Sequence, residues 1–154
     1  MAIFALAMAA AVPAKAEILF EGFLKITSAN KACTKGPKVG TILRSRFHPG
    51  TVTGAMQNWA GSAIDIYNPF DSRSYRLNSG MFGATLTNVY NTTLLSTTLK
   101  TMKPSKLSIT SQTPASITNT TTSLTFAGKI MNPNGLKGQE TCLVGYLWAG
   151  YVRP

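Results

Sequence analysis

One imidazole, five carboxylates and two thiols bound the chemistry open to this chain. A Ser/His/Asp arrangement would have to use His48, with Asp65 or Asp71 orienting the ring and Ser62 as the nearest nucleophile. The surrounding Trp59-Ala60-Gly61-Ser62-Ala63 lacks the second glycine of a nucleophile elbow. With 12 serines in the chain, one near a His and an Asp is expected by chance. His48 precedes Pro49-Gly50, which predicts an exposed turn. A carboxylate-pair glycosidase would need two of Glu17, Glu21, Asp65, Asp71 and Glu140 on one cleft. Asp65, between Ile64 and Ile66, is expected to point inward and to be neutralised by an arginine. One His and two Cys cannot complete a four-ligand zinc site, and five carboxylates are few for a calcium cage or a two-metal centre. Gly36-Pro37-Lys38 lacks the spacing of a phosphate loop. No metal or cofactor is expected, and a non-catalytic role, binding an anionic or amphipathic envelope component or packing against a protein partner, is favoured over a small periplasmic hydrolase using His48.

The cations carry a stronger signal. Fifteen Lys and Arg against five acids give a formal charge of +10. Gly22–Ile64 holds no acid and six cations, and Ser72–Gln139 no acid and seven. An excess of this size creates a positive field and draws polyanions. Alternation puts Arg44, Arg46 and His48 on one face of a strand, with Arg73 and Arg76 further along, and these five form the candidate anion site. A phosphorylated lipid headgroup or an acidic glycan would suit it; a solvated basic exterior is the plainer reading. A nucleic-acid role is disfavoured, because the aromatics beside these cations (Phe47, Tyr75) form no recognisable oligonucleotide-binding signature.

The compartment follows from the first residues and the cysteines. Ala2–Ala14 is almost wholly apolar, too short to span a bilayer, and leads into Ala14-Lys15-Ala16, a small-x-small cleavage pattern. No Lys or Arg precedes the apolar run. Residues 1–16 are therefore expected to be a signal peptide, and 17–154 a single exported domain, periplasmic or secreted. In an oxidising compartment Cys33 and Cys142, 109 residues apart, are expected to pair. No other apolar run is long enough for a transmembrane helix.

The elements that must position these residues read as strands. Ile18, Phe20, Leu24 and Ile26 alternate with Glu21, Lys25 and Thr27. Leu107 and Ile109, then Leu124, Phe126 and Ile130, alternate in the same way. Val39–Phe47, Ala63–Tyr67, Ser74–Leu77, Met81–Val89 and Thr141–Val152 complete the extended candidates, separated by Gly, Pro and Asn clusters such as Asn132-Pro133-Asn134-Gly135. The 20 threonines favour a pleated surface. Thr53–Trp59 and a stretch near 90–102, where Leu94, Leu95 and Leu99 approach helical spacing, are the two places a short helix could form. The fold expected is all-β: a single antiparallel barrel, with a two-sheet sandwich as the alternative. The aromatics could line a cavity for a small amphipathic ligand or fill a solid core. Leu143–Val152 is apolar on both faces and predicts a central strand covered on both sides. That pattern also fits poorly with an outer-membrane barrel, the third possibility, which needs polar residues inside.

Overall fold

The computed structural model describes residues 18–49, 52–53, 56–57, 62–68, 71–77, 89–96 and 105–153, with the backbone alone at 52–53, 56–57, 68, 71–73, 76–77 and 89–96. Among them the chain forms ten strands and no helix. These are β1 (Phe20–Ala29), β2 (Ile42–His48), β3 (Val52–Thr53), β4 (Met56–Gln57), β5 (Ala63–Asn68), β6 (Asp71–Leu77), β7 (Val89–Ser96), β8 (Ser105–Thr113), β9 (Ser123–Met131) and β10 (Leu143–Val152). Seven of them, in the order β6-β5-β2-β1-β10-β9-β8, make one curled antiparallel sheet. β3 and β4 form a separate two-stranded ladder.

The alternation read from the sequence sets which face is buried. Phe20, Leu24 and Ile26 of β1, Leu107 and Ile109 of β8, and Leu124, Phe126 and Ile130 of β9 all point inward. The stretch near 90–102 is not helical where it is described. Residues 89–96 are strand β7, and 97–102 lie outside the described residues. Thr92 and Thr93 lose side-chain freedom in a helix, and pairing with neighbouring strands outweighs the leucine spacing. Val52–Thr53 and Met56–Gln57 are likewise extended. Of the expected strand Met81–Val89, residues 81–88 fall outside the described residues.

Asn132-Pro133-Asn134-Gly135 does turn the chain. The Gly135 N–H donates to the Asn132 carbonyl at 2.9 Å, and the Asn132 side-chain oxygen accepts from the Leu136 N–H at 3.1 Å. Asn132 and Gly135 both adopt positive φ, 53° and 59°, which Asn and Gly tolerate. The connection from β9 to β10 nevertheless continues through Cys142 and is much longer than a two-residue hairpin.

The concave side of the sheet holds the core. Phe126 stacks on Trp148 (centroids 4.9 Å apart), and Phe47 meets both rings edge-on at 5.5 and 5.9 Å. Phe20 and Tyr146 extend the cluster. Each such side chain contributes about 1.5–3 kcal/mol when fully buried. The indole has room because residue 150 is glycine; a Cβ there would lie 2.5 Å from the Trp148 ring. Cys33 and Cys142 form the expected disulfide, with Cα atoms 4.5 Å apart. It joins the segment after β1 to the one before β10. Closing so long a loop stabilises by about 4–5 kcal/mol in the chain-entropy picture.

β10 departs from expectation. It lies between β1 and β9, and its inner row, Val144, Tyr146 and Trp148, is buried. Its outer row is not covered: Leu147 is 43% exposed and Tyr151 60%. The second apolar face read from the sequence is therefore exposed surface.

Candidate functional site: the outer face of β2, β1 and β10

Strand register builds this face row by row. Arg46 of β2, Glu21 of β1 and Tyr151 of β10 lie side by side. Two residues along, the row is Arg44, Phe23 and Ala149; the next is Ile42, Lys25 and Leu147. Cations and large apolar groups thus interleave on one surface. Phe23 is 58% exposed and Ile42 60%, beside the exposed Leu147 and Tyr151. Among the described residues Glu21 is the carboxylate within this grid.

Glu21 organises the arginines. Arg46 donates from Nε to Glu21 Oε1 at 2.8 Å, with Nη2 paired to the same oxygen at 2.8 Å, and its guanidinium lies over the Tyr67 ring at 5.5 Å. Tyr67, and then the hydrogen bond to Glu21, hold the Arg46 guanidinium above its ordinary pKa. Arg44 and Arg153 approach the same oxygen less closely, at 3.9 and 3.6 Å, and stay largely exposed. Arg153 is carried there by its backbone N–H, which donates to the Leu19 carbonyl at 3.0 Å. One negative charge thus faces three positive ones, and the two outer guanidiniums keep most of their donors toward solvent.

His48 and Asp65 form a second feature. His48 closes β2 with its side chain half-buried, not on an exposed turn, because the ladder to β5 extends through it to Ala63. Asp65 faces outward, since Ile64 and Ile66 occupy the inner row, and among the described side chains its partner is His48: Nε2 to Oδ2 is 3.0 Å. Ser62 is wholly buried, where a substrate would not reach it. Asp71 opens β6, paired with Asn68, and Glu140 is exposed in the segment before β10. Glu17 lies outside the described residues.

The five positions singled out for an anion do not converge equally. Arg44, Arg46 and His48 share the outer face of β2. Arg76 sits in register with Ala63, the same row as His48, whereas Arg73 pairs with Ile66, in the row of the buried Ser45. Arg46 and His48 are already committed to internal partners. Sequence reasoning missed Arg153 and the exposed Phe23 and Ile42. Phe23 stood in plain view as the apolar residue out of phase between Glu21 and Lys25, but Arg153 meets Glu21 through a strand pairing that local pattern does not encode.

On the inner side of the sheet a cavity of about 250 Å³ lies beneath residues 35–37 and 133–134. Among the described residues no helix is long and apolar enough to cross a membrane. No family model, curated protein or solved structure matches this chain.

Proposed function

We propose that the chain is an exported, non-catalytic β-barrel domain whose outer face across β2, β1 and β10 binds an anionic lipid surface of the cell envelope. The observation that carries this reading is the interleaving of Phe23, Ile42, Leu147 and Tyr151, all well exposed, with Lys25, Arg44 and Arg153 on one face. Exposed apolar clusters on a folded domain mark interaction surfaces. Apolar side chains entering the headgroup layer, flanked by cations that meet its phosphates, are the chemistry of interfacial binding. Closure of the sheet into a barrel is supported by β7, which pairs with β6 along Arg73–Leu77 and with β8 along Ser105–Ser108. The disulfide is compatible with an oxidising compartment, and so with removal of residues 1–16 during export. A membrane-spanning barrel would carry polar groups inside; the aromatic interior weighs against it.

The test is co-sedimentation of the oxidised protein with vesicles. Vesicles containing phosphatidylglycerol should retain it at low salt, and retention should fall as salt rises. Arg44→Ser should weaken retention about fivefold and Phe23→Ser about tenfold. Equal retention on purely zwitterionic vesicles, or none on either, would refute the reading.

The His48–Asp65 pair favours a second reading, a small hydrolase. It predicts that His48→Ala abolishes a hydrolytic activity while vesicle binding persists.

A further inference from the structure

We infer that the capped cavity on the inner side of the sheet, across β1 and β2 from the outer face just described, is a binding site for a short amphipathic carboxylate, with the alkyl tail in the cavity and the head group at Lys35. The walls are Leu24, Ile26, Leu43, Ile66, Ile130 and the ring of Tyr75. Five are aliphatic. The Tyr75 hydroxyl is committed to the frame, donating to the Pro133 carbonyl, so the ring presents carbon to the space. Thr41, Lys35 and Asn134 supply polar atoms at the lining.

The cover over this space is built to stay in place. Asn134 Nδ2 donates to the Lys35 carbonyl at 2.6 Å, tying the two covering segments to each other. The Lys35 N–H donates to Gln139 Oε1 at 3.1 Å, and Gln139 Nε2 donates to Thr34 Oγ1 at 3.0 Å. Gly36 rests on the disulfide: a Cβ there would stand 3.2 Å from Cys142 Sγ and 3.3 Å from Cys33 Cβ. A partly open space with aliphatic walls and a polar rim, roofed by segments that are cross-linked and hydrogen-bonded, is held in shape, which is the condition for a preformed ligand site.

Size and charge select the occupant. The volume lies between an engineered cavity of about 150 Å³ that takes benzene and the range of about 300–1,000 Å³ typical of drug-sized ligands. That suits a tail of about six to eight carbons and excludes a full-length membrane acyl chain. The covering segment carries Lys31, Lys35 and Lys38, all exposed, within the acid-free stretch Gly22–Ile64. A negative head group at the rim therefore meets only positive charge on that segment, whereas an ammonium head would be repelled.

Calorimetric titration of the oxidised protein with octanoate, octanol and acetate tests this. Octanoate should bind saturably, octanol about threefold more weakly, and acetate not at all. Ile66→Phe should abolish octanoate binding by filling the space. Leu43→Trp does the same from a half-buried position that tolerates a larger side chain, so a folding failure of the first variant leaves the test standing. Lys35→Gln should bring octanoate down to the octanol level. Phe23→Ser, on the outer face, should leave octanoate binding unchanged, which separates this site from the lipid surface. Absence of saturable octanoate binding, or unaltered binding in a folded Leu43→Trp protein, would overturn the inference.

Discussion

The two faces of β1 and β10 carry similar residues with opposite fates. Inward, Phe20, Leu24, Tyr146 and Trp148 are sealed in the core; outward, Phe23, Leu147 and Tyr151 stand in solvent among Lys25, Arg44 and Arg153. The inner set stabilises the sheet by leaving water. The outer set does nothing comparable for folding, so its presence on the surface asks for a partner. The contrast teaches that hydrophobic content alone does not report burial: the phase of the alternation decides, and an apolar residue out of phase is the informative one.

Substitutions can break or sharpen that contrast. The largest effect is expected from the tie between the segment after β1 and the one before β10: replacing Cys33 and Cys142 by Ser should cost about 4–5 kcal/mol, read by denaturant unfolding against the oxidised parent. On the inner face, Trp148→Ala should cost about 3–5 kcal/mol in the same assay, because the stacked and edge-on rings of Phe126 and Phe47 would border a void. Trp148→Phe should cost less, about 1–2 kcal/mol. The indole N–H has no hydrogen-bond partner among the described residues, so its removal strands no acceptor. On the outer face, Phe23→Ser should change stability by no more than about 0.5 kcal/mol while reducing vesicle retention. Glu21→Gln should cost about 1 kcal/mol or less and move retention the other way, upward, because it removes the negative charge among three arginines.

Much of the fold was legible because it is local. Alternation marked β1, β8 and β9, and Asn132-Pro133-Asn134-Gly135 marked a turn. Two cysteines in a chain read as exported implied their pairing. What was not legible depends on pairing between distant segments. The leucines at 94, 95 and 99 suggested a helix because the neighbours that draw residues 89–96 into a strand lie elsewhere in the chain. Asp65 was expected to face inward because its apolar neighbours were seen and its phase was not. Its outward position brings it to His48 only through the β2–β5 ladder. Local pattern offers Glu21 as one of five possible acid catalysts and as a polar position of a strand. Its place beside Arg46, Arg44 and Arg153 requires that β1 lie between β2 and β10, a register no short motif specifies. The chemistry of the candidate residues was readable; which of them were already spoken for was not.

The most direct measurement is retention on anionic vesicles of the oxidised parent beside a Phe23→Ser, Arg44→Ser double variant, with unfolding midpoints taken on the same samples. The account predicts equal midpoints and a loss of retention of about fiftyfold. Undiminished retention in a variant of unchanged stability would contradict it, and would send the search for the partner to another face of the molecule.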